Sequence, residues 1–321
     1  LFRSEAAARG VRIFEETRVT NIHDGAPCIV HTDRFDITAR DVFVAANVPV
    51  NNRVALHTKI AAYRSYAIAM LVDEAPSGLF WDTDDPYHYT RVQRAGGHQY
   101  LIVGGEDHRT GEEDDTEARF TALSVYAAQR FGERPIRYKW SGQIIEPVDG
   151  LPFIGRNSGE EHVYVATGYS GNGMTFGTLA AMLVSDGILG RENAYAALYD
   201  VTRVKPLASA KDYVAENALF PAHLVTDRLG GGESRDAQSL QPGEGAVIKT
   251  EDGKVAVCRD RLGELHACSA ICTHLGCDVG WNNAEQTWDC PCHGSRFSPE
   301  GKVINGPAVS DLQPMKLPLH S

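Results

Sequence analysis

Four residues near the carboxyl end have the types and spacing of ligands for a transition-metal cluster. The segments CTHLGC and CPCHGS each supply one thiolate and one imidazole. Two thiolates and two imidazoles suit a [2Fe-2S] cluster in which one iron is held by cysteine and the other by histidine. Because imidazole is neutral, replacing two thiolates removes negative charge and raises the reduction potential. The predicted ligands are Cys272, His274, Cys290 and His293.

A structural zinc site is the alternative for the same four side chains. Zinc also accepts two cysteines and two histidines, but finger sites usually space them C-x₂₋₄-C and then H-x₃₋₅-H. Here each half runs from cysteine to histidine, as C-x-H and C-x₂-H, which favours the iron–sulfur cluster. Two more cysteines, Cys277 and Cys292, stand beside the ligands, where they could bridge the two segments.

The stretch from Cys272 to Ser295 resembles the Rieske iron–sulfur proteins, in the subtype whose two ligand loops are tied by a disulfide. The resemblance implies that the four residues above hold the cluster and that Cys277 pairs with Cys292. It also implies a small antiparallel β domain in which the segment NGPAV, around Pro307, covers the cluster.

The cluster is expected to have a lower reduction potential than the Rieske proteins of respiratory complexes. Many high-potential members carry Tyr two residues after the loop Ser, with its hydroxyl aimed at a ligand sulfur. Here Ser295 is present, but the position two residues later is Phe297. One hydrogen bond that would stabilise the more negative reduced state is therefore missing. A redox titration checks this prediction, and a midpoint as high as theirs would contradict it.

Length and composition indicate about two ordinary globular domains. The net charge of −11 argues against nucleic acid and against anionic membrane surfaces as partners. No apolar run reaches the length of about eighteen residues expected of a transmembrane helix. Three of the seven cysteines, Cys28, Cys258 and Cys268, have the character of ordinary buried residues. This is not a disulfide scaffold, so a cytoplasmic location is expected, with one disulfide shielded by the fold.

The amino-terminal part predicts an α/β nucleotide-binding layer. After a first helix, short strands are expected at residues 11–14 and 18–22, and the apolar run at 41–46 predicts a strand that ends in a loop. Ligands in such sheets lie beyond the carboxyl ends of the strands, here near Ala45 and Ala46.

Aromatic, β-rich segments such as YHYTRVQ and YLIVGG predict an antiparallel sheet after this layer. In YHYTRVQ the alternation places Tyr87, Tyr89 and Arg91 on one face. That face could line a substrate pocket in which Arg91 meets a carboxylate; a solvated or half-buried strand face is the alternative. Further on, Asp114 and Glu117 predict a capping-box-like start of a helix.

A glycine-rich loop, GYSGNG, follows a strand predicted at residues 162–167 and precedes a strongly apolar helix. Free N–H groups at a helix start and glycines together admit a charged or phosphorylated ligand. The spacing is not a complete dinucleotide fingerprint, because the third glycine comes one residue late, at Gly177, and no parallel strand follows. The loop is therefore expected to complete a site begun elsewhere in the chain.

Residues 1–203 resemble the carboxyl-terminal portion of FAD-dependent oxidoreductases of the glycine and D-amino-acid oxidase superfamily. The resemblance rests on GVRIFEETRVTNI, on DVFVAANVP, and on VDGLPFIG through HVYVATGYSGNGMTFGTLAA. It implies that Val19 contacts the adenosine half of FAD, that Ala45 and Ala46 lie near the pyrophosphate, and that the glycine-rich loop faces the isoalloxazine. The implied loop residues are Gly168, Ser170, Gly171, Asn172, Gly173, Met174 and Thr175. The G-x-G-x-x-G unit with which that family opens is absent from this sequence.

The predicted fold class is thus α/β and α+β, followed by an all-β domain. Residues 1–203 are expected to form an FAD-dependent oxidoreductase domain with an antiparallel substrate sheet, lacking its amino-terminal dinucleotide-binding unit. Residues 204–241, which lose periodicity and contain several Pro and Gly, are predicted as a linker. Residues 242–321 are predicted as the Rieske domain.

The two resemblances imply an oxidoreductase in the full-length form, passing electrons from a small amine or amino acid through FAD to the cluster and on to an acceptor protein or quinone. A dehydrogenase is expected rather than an oxygen-consuming oxidase. The alternative is an electron carrier or redox-sensing protein with a flavin-like scaffold, which the missing glycine motif favours for this chain alone. A Rieske oxygenase is not expected, because it needs a mononuclear iron domain after the cluster and only about thirty residues follow His293 here. No catalytic residue stands out.

Overall fold

The computed structural model describes residues 2–50, 56–74, 76–203, 236–251 and 253–317. Most of the predicted linker, residues 204–235, lies outside the described residues. Among those that are described, no helix is both long enough and apolar enough to cross a membrane. The α-helices are α1 (Phe2–Ala8), α2 (Glu117–Phe131), α3 (Gly173–Ile188) and α4 (Ala196–Tyr199), and 3-10 turns lie at His57–Lys59 and Ala237–Ser239.

Strands β1 to β11 belong to the first part of the chain and form three sheets. An antiparallel sheet has the order β1-β2-β3, a mixed sheet β10-β11-β4, and a five-stranded antiparallel sheet β6-β7-β8-β5-β9. The strands are β1 (Val19–His23), β2 (Cys28–Thr32), β3 (Asp36–Ala39), β4 (Val42–Val44), β5 (Ile60–Leu71), β6 (Leu79–Trp81), β7 (His88–Ala95), β8 (His98–Arg109), β9 (Ile136–Pro147), β10 (Phe153–Arg156) and β11 (Val163–Thr167).

The parallel pair β4 and β11 builds the α/β layer. Val42 is opposite Val163 and Val44 is opposite Val165, so the carboxyl ends of the two strands meet at one edge. All five residues of β11 are buried, which is expected of a strand covered on both faces. The loops that follow β4 and β11 therefore leave the sheet side by side.

The long strand β5 lies inside the five-stranded sheet, with β8 on one side and the edge strand β9 on the other. One face of this sheet packs against α2, where Tyr66 and Leu123 are completely buried and Phe120 contacts Tyr66 edge to face. Burying a side chain of this size contributes about 1.5–3 kcal/mol. Helix α2 is therefore fixed to the sheet by the apolar stripe visible in its sequence.

The carboxyl-terminal part consists of two small antiparallel sheets, with the orders β12-β13-β14 and β15-β16-β17-β18. Trp281 and Trp288 lie opposite each other in a hairpin, with ring centroids 4.7 Å apart. The strands are β12 (Gly245–Thr250), β13 (Gly253–Arg259), β14 (Leu265–Ser269), β15 (Gly280–Asn282), β16 (Thr287–Asp289), β17 (Arg296–Phe297) and β18 (Val303–Asn305). The predicted all-β architecture of this part is confirmed.

Two local predictions are wrong. Residues 11–14 form no strand, because no neighbouring strand pairs with them and Val11 and Phe14 remain exposed. Asp114 does not cap helix α2, which begins after Thr116. The hydroxyl of Thr116 instead donates at 2.7 Å to the side-chain oxygens of Asn282 and Asn283, so the start of α2 is held by the carboxyl-terminal part of the chain.

Candidate functional site

Two loops with the same hydrogen-bonding pattern carry the four predicted ligands. The N–H groups of Cys272 and Cys290 each donate to a carbonyl five residues later, at 2.8 Å in both loops. The N–H groups of Gly276 and Gly294 each donate back to the cysteine carbonyl, at 3.0 Å. Both glycines have positive φ, which closes each turn around its cysteine. The two halves of the motif are therefore one structure used twice.

The loops place the two cysteines together and the two histidines together. Cys272 and Cys290 are buried and outside any disulfide. A hydrogen bond between their thiols is the main reason why the pKa of Cys272 is lowered to about 7. The rings of His274 and His293 lie perpendicular, with centroids 4.9 Å apart. This separation of two sulfur donors from two nitrogen donors fits a [2Fe-2S] cluster held by cysteine at one iron and by histidine at the other.

The surroundings of the loops hold this arrangement in place. Cys277 of the first loop and Cys292 of the second are joined by a disulfide. The Ser295 hydroxyl, which is completely buried, accepts the N–H of Ala308 at 3.0 Å. The segment around Pro307 is thereby attached to the second loop.

The histidine side of the loops lies against the first part of the chain. The ring of His57, which is 3% exposed, has centroid distances of 4.9 Å to His274 and 5.4 Å to His293. Its Nε2 lies 3.1 Å from the carbonyl oxygen of Pro49. Burial lowers the pKa of His57 to about 4. Burial is also the main reason why the pKa of His293 is lowered to about 3, with smaller electrostatic contributions from His274, His57 and Arg109. Both rings are therefore neutral near pH 7.

Strand β9 contacts the second ligand loop directly. The Nε2 amide of Gln143 donates to the Gly294 carbonyl at 3.0 Å, and its Oε1 accepts from Asn305 Nδ2 at 3.2 Å. A Cβ on Gly294 would lie 2.1 Å from Gln143 Nε2 and 2.4 Å from the Ala62 methyl group. Only glycine permits the loop to approach the sheet this closely.

A buried ionic network joins the two parts next to the loops. Arg64 of β5, with a side chain 2% exposed, pairs with Glu285 of the β15–β16 turn, and Arg296 pairs with the same carboxylate. Ser141 of β9 donates to Glu285 at 2.5 Å, and Arg296 also pairs with Asp289 at 2.9 Å. Each guanidinium therefore faces a carboxylate, and this pairing offsets the cost of removing a charged group from water.

The residues predicted to contact FAD lie in two different sheets or beside them. The glycine-rich loop follows β11 and leads into α3, so its residues share one sheet edge with Ala45 and Ala46, which follow β4. Val19 lies in the separate sheet β1-β2-β3. At the shared edge Ala45, Ala46 and the five residues 171–175 are exposed. Exposed residues, four of them Gly or Ala, beside the N-terminus of a sixteen-residue helix fit a bound anionic cofactor.

A cavity of about 520 Å³ lies between the glycine-rich loop and the five-stranded sheet. Tyr87 and Tyr89, two of the three residues predicted to share one strand face, line it. Arg91 lies on β7 outside the lining, and its Nη1 donates to Gln93 Oε1 at 3.1 Å. The structure thus brings the two tyrosines to the cavity but not the guanidinium.

Comparison with known families identifies both parts. Residues 1–187 match the family described as FAD dependent oxidoreductase, and residues 233–316 match the Rieske [2Fe-2S] domain. The chain therefore belongs to the FAD-dependent oxidoreductase family and carries a Rieske domain in its carboxyl-terminal part. FAD and a [2Fe-2S] cluster are the cofactors that these two domains imply, as the sequence predicts.

One similar protein contains both parts. YhfW of Bacillus subtilis (strain 168) is named as a Rieske 2Fe-2S iron-sulfur protein. It is 34% identical to this chain over 315 residues, and the match covers 96% of this chain and 61% of YhfW. The chain thus spans less than two thirds of that relative. The cytochrome b6-f complex iron-sulfur subunit of Chlorobaculum tepidum is 36% identical over 132 residues, covering 41% of this chain and 64% of that subunit.

Solved structures resemble the first part in fold alone. Glycine oxidase from Geobacillus kaustophilus has a TM-score of 0.51 at 22% identity, covering 62% of this chain and 55% of its own. L-proline dehydrogenase from P. horikoshii has a TM-score of 0.52 at 20% identity, covering 63% and 57%. The predicted fold class of the first part is confirmed.

Sequence reasoning missed the residues that join the two parts. These residues are His57, Arg64, Gln143 and Glu285. No local spacing marks them, because each acts on a partner more than a hundred residues away. A buried charge in a strand such as β5 is the one signal available, since isolated charges are rarely buried.

Proposed function

We propose that this chain is part of an oxidoreductase of the dehydrogenase type, which passes electrons from a small amine or amino acid through FAD to the Rieske cluster and on to an external acceptor protein or quinone. One observation carries the proposal: the five-stranded sheet has the cavity on one face and the ligand loops on the other. FAD supplies hydride acceptance, and a [2Fe-2S] cluster supplies single-electron transfer.

Consecutive side chains of β9 point alternately to the cavity face and to the ligand-loop face of the sheet. Ile144 and Glu146 line the cavity, whereas Ile145 between them lines a small gap together with His57 and His293. Successive side chains of a strand point to opposite faces. One backbone step along β9 therefore leads from the cavity to the histidine side of the ligand loops.

Strand β5 repeats this division. Ser65 and Ala67 line the cavity. On the opposite face Ala62 borders the space beside His293, and Arg64 pairs with Glu285. Two adjacent strands thus give the same assignment of faces, which supports transfer across the sheet.

The glycine-rich loop is attached to the same strand. The N–H of Ser170 donates to the carbonyl oxygen of Ile145 at 3.1 Å. The first turn of α3 directs its free N–H groups toward the exposed edge, where they would stabilise negative charge on a reduced cofactor. The loop is thus fixed to the residue that faces His57.

His57 is proposed to keep the histidine side of the ligand loops dry and in position. Its ring contacts both His274 and His293, and its Nε2 is held by Pro49. A neutral, buried ring at this point excludes water without adding a charge beside the cluster.

The cysteines support a cytoplasmic location, which we propose on that basis. Cys28, Cys258 and Cys268 are buried free thiols, and burial raises the pKa of each, which makes them inert rather than redox-active. Cell fractionation tests this location.

The proposed function predicts that substrate reduces the cluster. The loaded protein is mixed without oxygen with small amines and amino acids while flavin and cluster absorption are followed. We expect both centres to be reduced, and we expect His57→Ala to slow reduction of the cluster while leaving reduction of the flavin unchanged. His98→Ala, at an exposed position of β8, is the matched control and should change neither.

Two results would contradict the proposal. Rapid release of peroxide with an oxidised cluster would make the protein an oxidase. A reducible cluster in a protein that retains no FAD would favour the electron carrier or redox sensor instead.

A further inference from the structure

The cavity beside the glycine-rich loop has an aromatic wall. Tyr87, Tyr89 and Trp140 line it, together with the small residues Ala67 and Gly142 of the sheet. The Tyr89 ring lies over Gly104, where an added Cβ would come within 2.2 Å of its Cζ. Burial raises the pKa of both tyrosines, so both phenols are neutral near pH 7.

The charge of this cavity is negative. Glu146 carries the charge among the described lining residues, none of which is Lys or Arg. Asp107 lies behind the wall, where it interacts with the hydroxyls of Ser65 and Tyr87, both of which line the cavity. Burial raises the pKa of Asp107. A carboxylate entering here would meet Glu146 with no opposing charge on the described lining.

Aromatic faces and a carboxylate are the chemistry that recognises an organic cation. The negative faces of Tyr and Trp rings attract an ammonium group, and such contacts contribute about 0.5–2 kcal/mol each. Glu146 adds a direct Coulomb attraction. The apolar groups of Ile144 and Ala67 suit the carbon substituents of an amine.

We infer that this cavity accepts a cationic amine that bears no carboxylate, which narrows the substrate class of the proposed function and rests on that proposal. Arg91 follows Tyr89 on the same strand face, and its charge acts on the Tyr89 phenol. Its guanidinium is bonded to Gln93, however, and lies outside the lining, where Glu146 carries the charge. Of the two substrate classes, amines and amino acids, the cavity therefore selects amines.

The test compares two ligands of similar size and opposite charge on the full chain. Tetramethylammonium carries four methyl groups on a cationic nitrogen, and pivalate carries three methyl groups beside a carboxylate; isothermal titration calorimetry measures their binding without turnover. We expect tetramethylammonium to bind and pivalate not to bind. Glu146→Gln and Tyr89→Leu should each weaken binding of the cation about tenfold. Glu117→Gln, on α2 outside the cavity, is the matched control and should leave it unchanged.

Tighter binding of pivalate, abolished in Arg91→Gln, would overturn the inference and assign the site to a carboxylate. Binding of neither ligand would overturn it as well. The calorimetry measures no electron transfer. If tetramethylammonium does not bind but substrate still reduces the cluster, the inference fails and the proposed function stands. Conversely, if tetramethylammonium binds but no substrate reduces the cluster, the cavity assignment is supported and the proposed function fails.

Discussion

The Glu285→Gln variant should lose about 3–5 kcal/mol of unfolding free energy, because it leaves the buried Arg64 guanidinium without the carboxylate that it contacts. Arg296 is affected less, since it keeps its pair with Asp289. The loss falls on the contact between the two parts of the chain, so cleavage between them by a protease should also become faster. Denaturant unfolding followed by tryptophan fluorescence measures the change.

An exposed pair provides the control for this prediction. Lys139 and Glu117 form an ion pair with side chains 46% and 39% exposed, and breaking it with Glu117→Gln should cost less than about 1 kcal/mol. Equal losses in the two variants would show that the Arg64–Glu285 pair does not hold the contact. The double variant Arg64→Met/Glu285→Leu should recover most of the loss, because it removes both buried charges together.

The second large effect is expected from removing the disulfide with Cys277→Ser/Cys292→Ser. The two cysteines are fifteen residues apart, and opening a loop of that size costs about 3 kcal/mol in the chain-entropy account. The ligand loops also lose their mutual restraint, so the cluster should bleach at lower denaturant concentration and decay faster at constant temperature. Visible absorption of the cluster measures both.

Cys28→Ser serves as the matched control, because Cys28 is a buried thiol in the first part of the chain, far in sequence from the ligand loops. It should leave the lifetime of the cluster unchanged. A double variant with the lifetime of the unmodified protein would show that packing alone holds the loops. Treating the unmodified protein with thiol reductant should reproduce the double variant.

The sequence information from which the metal centre is predicted is local. The four ligand positions, the two cysteines beside them and the loop glycines lie within twenty-four residues, and each loop closes through its own hydrogen bonds. The same holds for the glycine-rich loop, where strand, turn and helix follow each other directly. Alternation likewise predicts that Tyr87 and Tyr89 share a face, and both line the cavity.

The contact between the two parts could not be predicted in this way. Neighbours such as Gly294 and Gln143 are separated by 151 residues, and no periodicity links them. The two local errors have the same origin. Residues 11–14 have strand-forming types but no partner strand, and Thr116 is used by Asn282 and Asn283 across the contact. Propensity describes what a segment can form, whereas tertiary partners decide what it does form.

The position of His57 between the sheet and both ligand imidazoles has a kinetic consequence. A carrier and a donor on separate molecules must collide, so their exchange depends on concentration and, for charged partners, on salt. Here His274 and His293 are held against the chain that carries the cavity, at an effective concentration set by the fold. With the proposed function, exchange across the sheet is a first-order process that dilution does not slow.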